Sequence, residues 1–139
     1  MEKEAAITLE GLVQWWSDPR RIRYATYPLE QCVTTQVLTA IRHSDATTLG
    51  AHAHSPMFLR GVSSHLEHTD ARIRRLGMLI AEVLSQATNP KPLAFPEQVW
   101  EGRGDGRGAC RVLRAMYLRE MWWPEEPPYP WPTEPVWPV

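Results

Sequence analysis

The sequence predicts an all-α protein: a body of helical hairpins stacked side by side over residues 1–123, and an extended Pro/Trp-rich tail over 124–139. Three observations carry this. Apolar residues recur along the body at three- and four-residue spacing, the period of one helix face, and no stretch alternates as a half-buried strand would. A pair of helices over 55–67 and 70–87 is joined by a turn of about two residues, so the two must fold back on each other. Seven of the 13 prolines lie in the last 16 residues, where a fixed φ and missing N–H groups exclude both helix and central strand.

In chain order, Ala5, Leu9, Leu12, Val13 and Trp16 share one face of a first helix that stops at Ser17-Asp18-Pro19. Pro28 opens a second, because a missing N–H costs nothing in the first turn. Leu29, Val33, Val37 and Ile41 follow at four-residue steps, with Cys32 and Ala40 alongside. Residues 44–54, rich in Thr, His and Ala, read as a loop. Ser55-Pro56 reads as an N-cap followed by Pro at the first helical position. Thr69 reads as the cap of the next helix, with Asp70 set against its dipole and the end placed before Asn89-Pro90. Beyond a glycine-rich stretch, Cys110, Leu113, Tyr117 and Met121 mark a last helix.

On the 70–87 helix, Ile73, Leu76, Gly77, Leu79, Ile80, Val83, Leu84 and Ala87 fill an arc of roughly 160°, against about 100° for an ordinary surface helix. Such a helix needs apolar neighbours on more than one side. Stacked hairpins supply them; an ordinary helical bundle is the other arrangement this pattern allows. Gly77 lies inside the arc, where it costs about 1 kcal/mol relative to Ala. Close approach of the partner helix would offset that, with Gly61 the candidate counterpart.

Composition narrows the function. With 15 Lys+Arg against 16 Asp+Glu there is no cationic field for general polyanion binding, and 43% hydrophobic residues exclude wholesale disorder. Cys32 and Cys110 are too few for a disulfide scaffold and read as reduced, buried thiols of a cytosolic or nuclear protein. No apolar stretch approaches the ~20 residues of a membrane span, and Met1-Glu-Lys-Glu is no signal peptide. Secretion and membrane insertion are not expected.

Several motifs are weighed and set aside. His52, His54, His65 and His68 lack the spacing of a zinc site, since Glu67 between the last two does not complete a His-Glu-x-x-His pattern, and they read as surface and helix-end residues. Residues 102–108 alternate Gly with charge and contain Gly104, Gly106 and Ala109 ahead of a helix. A dinucleotide loop needs a preceding buried strand, so a flexible connector is expected. Arg20, Arg21 and Arg23, near Tyr24 and Tyr27, read as a solvated inter-helix loop, since three charges give only weak nucleic-acid affinity. Neither Cys has a His partner at readable spacing and no carboxylate pair is implied. No enzymatic activity and no cofactor are expected.

Asp70-Ala71-Arg72-Ile73-Arg74-Arg75-Leu76 resembles the start of the second helix of a HEAT repeat, a unit of ~40–47 residues. Residues 57–66, beginning Met57-Phe58-Leu59-Arg60-Gly61, and Arg75-Leu76-Gly77-Met78-Leu79-Ile80-Ala81-Glu82 then resemble the telomere-length-regulation protein family, together with Lys91-Pro92-Leu93-Ala94-Phe95 and Trp100-Glu101-Gly102. The resemblance covers about Met57 to Leu118. It implies an α-solenoid that is not an enzyme. It also implies partners: the other subunits of the Triple T co-chaperone complex, the ninety-kilodalton heat-shock chaperone machinery, and client phosphatidylinositol-kinase-related kinases, in cytoplasm and nucleus. Family members are several times longer, and continue into an acidic, Ser-rich linker where this sequence has its Pro/Trp tail.

Opposite the apolar arc, Arg74, Arg75, Glu82 and Ser85 gather with Met78 among them. Because Met adapts to partner surfaces, Arg74, Arg75, Met78 and Glu82 are the candidate protein contact; the alternative is that an adjoining helix of the same chain covers Met78. In the tail, Pro127, Pro130, Trp131, Pro132 and Pro135 form overlapping Pro-x-x-Pro units, a candidate ligand for aromatic-lined grooves. Alternatively the tail is frayed, or Trp122, Trp123, Trp131 and Trp137 fold back over the last helix. The expected function is a protein-binding scaffold of the Triple T kind. A telomere- or nucleic-acid-associated factor and a stand-alone adaptor working through its tail are the alternatives.

Overall fold

In the computed structural model, which describes residues 2–89 and 91–120 and the side chains of 9–89 and 91–117, every element is helical. The order is α1 (Glu2–Trp16), α2 (Pro19–Tyr24), α3 (Tyr27–Arg42), α4 (Ala46–Ala53), α5 (Pro56–Leu66), α6 (Ala71–Thr88), a single 3-10 turn (Glu97–Val99) and α7 (Arg107–Glu120). No strand occurs among the described residues. The all-α expectation holds. The Pro/Trp tail, with Pro127, Pro130, Trp131, Pro132 and Pro135, lies outside the described residues.

Helix starts follow local hydrogen-bond chemistry. Ser55 Oγ accepts from Phe58 N–H at 3.1 Å, so the Ser-Pro start of α5 is as expected. Asp70, not Thr69, caps α6: its Oδ1 accepts from Arg72 N–H at 2.9 Å. Two helices arise where the sequence reads as loop. Asp18 accepts from Arg20 N–H and Pro19 occupies the first position of α2, so Asp18-Pro19 ends one helix and begins another. Asp45 accepts from Thr48 N–H at 2.7 Å and starts α4, despite two Thr and a Gly with poor helix propensity. Burial of Leu49 offsets that propensity. Ile22 is likewise buried, so the arginine-rich stretch 20–23 is an anchored helix and not a solvated loop.

The broad apolar arc lies at the centre of the molecule. Helix α6 packs against α3, α4, α5 and α7, while α1 packs on α3 and α5 and α2 on α5. Ile73, Leu76, Gly77, Leu79, Ile80, Val83 and Leu84 are all buried in consequence. In α3, Val33, Val37 and Ile41 are buried but Leu29 is 40% exposed. Four-residue steps overshoot the helical repeat by about 40° each, so Leu29 has drifted off the core face, and Glu30, Thr34 and Leu38 take the inner positions. Of the two thiols, Cys110 is buried as expected, whereas Cys32 is exposed. Burial, only partly offset by the Arg75 charge, pushes the Cys110 thiol up to about 11.

Gly77 does meet its hairpin partner closely, but the group opposite is His65: a Cβ at position 77 would sit 2.3 Å from His65 Cβ. Gly61 faces a different neighbour, Ser17 at the end of α1, at 2.6–2.8 Å. The two glycines therefore admit α6 to α5 and α5 to α1 respectively.

Candidate functional site

The helical repeat of α6 brings Arg74, Arg75, Met78 and Glu82 to one edge, and the segment 91–106 runs along that edge. Arg74 Nη1 donates to His68 O at 2.7 Å and Thr69 O at 3.0 Å, tying the α5–α6 turn. Arg75 donates from Nε to Val99 O at 3.1 Å and from Nη1 to Asp105 O at 3.0 Å. Glu82, expected opposite the apolar arc, is fully buried. Its Oε1 accepts from Arg114 Nε at 2.8 Å, and its Oε2 from Phe95 N–H at 3.5 Å. Met78 is half-buried and packs against the core, and Ser85 Oγ accepts from Leu93 N–H at 2.7 Å.

Sequence reasoning missed that covering segment. Its signal lay in Phe95 and Trp100, two large aromatics in a Pro-rich stretch without helical period. Trp100 is 1% exposed, meets Phe95 edge-on at 6.2 Å and lies under Arg114 at 5.3 Å. The glycine-rich stretch that follows is no loose connector. Gly102, Gly104, Asp105 and Gly106 all have positive φ, and the turn they form is pinned by Arg75 and by Arg111, which donates to Trp100 O at 2.7 Å and Gly102 O at 2.6 Å. At Gly106 a Cβ would stand 3.0 Å from the Tyr27 hydroxyl, which explains glycine there beyond its φ of 75°.

A second cluster joins α1, α2, α3 and α5 in the interior. Glu30 is fully buried, with Arg21 Nη1 2.7 Å from its Oε1 and His65 Nε2 3.2 Å from its Oε2. The Arg21 contact is a charge pair whose angles miss hydrogen-bond alignment. Arg21 also donates from Nε to Trp15 O and from Nη2 to Trp16 O, closing the end of α1. His65 Nδ1 lies 2.7 Å from Gly61 O and must carry the proton there, since a carbonyl only accepts. Burial acts to raise the Glu30 carboxyl, but the His65 hydrogen bond, the His65 charge and Arg21 outweigh it and hold the group below its ordinary value. The ring stacks on Trp16 at 4.3 Å, which in turn stacks on Phe58 at 5.3 Å. His65 is thus an interior structural residue, contrary to the surface reading. His68 does sit at a helix end, its Nδ1 accepting from Asp70 N–H.

Two surface grooves are lined by described residues. One, of about 350 Å³, lies between α2 and the end of α5 and is lined by Ile22, Arg23, Ser64, Glu67 and His68. The other, of about 280 Å³, has Leu38, Ile41, Leu49, Val83 and Tyr117 for its walls and Arg42 at its rim. Among the described residues no group of three or more His, Cys, Asp or Glu side chains is placed to hold a metal ion, and no helix is long and apolar enough to cross a membrane.

Together these features define an all-helical protein in which most charged side chains near the core tie one helix or loop to the next. The chain is similar to the DNA replication checkpoint protein tel2 of Schizosaccharomyces pombe, with 32% identity over 97 residues. The match covers 68% of this chain and 11% of the yeast protein, so the chain spans about a tenth of the length of that curated relative. No family model matches the chain. No solved structure matches it either.

Proposed function

We propose that this chain is tel2-like, a member of the telomere-length-regulation proteins, and that it acts as a non-enzymatic, protein-binding segment of HEAT-like α-solenoid. The observation that carries the reading is the 97-residue similarity to tel2. The packing of α6 supports the architecture: a helix with neighbours on four sides is what a stacked hairpin presents to its own partner and to adjacent units. In this reading the chain works with the Triple T subunits and the ninety-kilodalton heat-shock chaperone in the maturation of phosphatidylinositol-kinase-related kinases, in cytoplasm and nucleus, and so bears on telomere length and checkpoint signalling. Affinity capture of the tagged chain from cells, with mass spectrometry of what it holds, is the test. Recovery of Triple T subunits or a kinase of this class is expected; their absence while the chain is folded and abundant would overturn the proposal.

The contact on α6 belongs to the same proposal. Arg75 and Glu82 hold the 91–106 segment and Arg74 ties the α5–α6 turn, which leaves half-buried Met78 as the residue of this edge to meet a neighbour. Met78→Glu is expected to lower partner capture per folded molecule while the melting temperature holds. A fall in melting temperature with capture unchanged would mean that Met78 only packs within the chain.

A further inference from the structure

We infer that the edge of α6 is a receptor for an extended peptide, that residues 91–96 occupy it as a stand-in, and that the partner replacing them is a proline-flanked segment with one aromatic side chain. The way this stretch is held argues for this. Ser85 Oγ accepts from Leu93 N–H at 2.7 Å, Glu82 Oε2 accepts from Phe95 N–H at 3.5 Å, and Gln86 Nε2 donates to Leu93 O at 3.4 Å. Side chains of one helix thus grip the main chain of alternate residues in an extended neighbour, a contact that supplies affinity with little regard to sequence. Lys91 and Phe95 each precede a proline and are driven to extended backbone, and Pro96 itself has φ −54° and ψ 144°.

Side-chain burial sets the specificity. Of residues 91–98 only Phe95 is even half-buried, meeting Trp100 edge-on at 6.2 Å. Leu93, the other large apolar residue, is 45% exposed. Backbone and one aromatic are therefore all that the stand-in contributes. The floor beneath it is built independently: Glu82 is fully buried and fixed by Arg114 Nε at 2.8 Å, and Trp100 is 1% exposed, with an indole N–H that has no acceptor among the described residues. A preformed floor under a shallow occupant, two of whose three hydrogen bonds are 3.4 Å or longer, favours exchange for a better-fitting segment. Downstream, Arg75 and Arg111 hold Val99 O, Trp100 O and Gly102 O at 2.6–3.1 Å, so 91–96 can swing away while Trp100 stays seated. The inference is independent of the tel2-like reading.

The test uses the full chain and a fluorescent peptide copying residues 91–99. Phe95→Ala in the chain removes the stand-in's one anchor and leaves Glu82, Ser85, Gln86 and Trp100 in place. Apparent affinity scales with the fraction of chains whose edge is open, so this variant is expected to bind the peptide at least about tenfold more tightly than the parent does. A second peptide carrying Phe95→Ala is expected to lose that gain. With the variant chain folded by circular dichroism, equal binding by parent and variant, or equal binding of the two peptides, would overturn the inference. Hydrogen exchange on the unaltered chain needs no variant. The Leu93 and Phe95 amides are expected to exchange at least about a hundredfold faster than those of α6, and exchange as slow as that of α6 would show a stretch fixed in the core and refute the inference.

Discussion

Gly77 and His65 set how closely α5 and α6 approach, and neither has room to yield. The ring of His65 is stacked on Trp16 and bonded at both nitrogens, so a methyl at 77 cannot push it aside. Alanine has the better helix propensity by about 1 kcal/mol, but overpacking a rigid site costs about 1–3 kcal/mol and occasionally more. Gly77→Ala is therefore expected to destabilise, read as a lower midpoint in urea. At Gly11 and Gly50 a methyl would meet nothing within 4 Å, and alanine at either is expected to stabilise by about 0.5–1 kcal/mol. The pair of outcomes separates packing from propensity. Glu30 belongs to the same scale. Removing it by Glu30→Ala leaves Arg21 and His65 buried without their counter-charge and is expected to cost about 3–5 kcal/mol. Because the folded state holds this carboxyl below its unfolded value, its contribution is complete above the ordinary value of 4.5 and is lost as pH falls through the lower, folded one. Melting temperature followed downward from pH 6 should thus fall more steeply in the parent than in Glu30→Gln, since other carboxylates act equally in both.

Helix starts were largely legible because capping is local chemistry. Ser55-Pro56 wrote the beginning of α5 in two residues, and Ser55→Ala is expected to cost about 1 kcal/mol by thermal denaturation. The misses have physical causes. Helices α2 and α4 are six and eight residues long, too short for a periodic signal, and each is fixed by one buried side chain, Ile22 or Leu49. Alternating glycine and charge looked like slack chain, yet Arg75 and Arg111 collect its carbonyls from two different helices. Those partners are 9–30 residues away, and local pattern cannot announce them. The same distance hid the real setting of Glu82. Its place on the helical wheel was readable, but its burial depends on Arg114, 32 residues on.

Across the whole molecule, α6 couples almost everything else. Its four neighbours share one core from Leu9 to Tyr117, so no hairpin can leave without exposing the others' apolar face. Leu76→Ala at the centre is expected to cost about 2–5 kcal/mol, a large share of the ~5–15 kcal/mol that holds a domain together. Unfolding should remain one transition, with circular dichroism and tryptophan fluorescence coincident; separate midpoints would show that the hairpins melt independently. The breadth of the α6 arc was visible from its residues, whereas the identity of the helices covering it was not, because chain order does not fix which surfaces meet. The contrast between the two thiols also acquires a practical meaning at this scale. Cys32 faces solvent while Cys110 is enclosed and its thiol is held to about 11. A neutral-pH alkylating reagent will accordingly mark the native molecule once, and the arrival of a second label will time the opening of its interior.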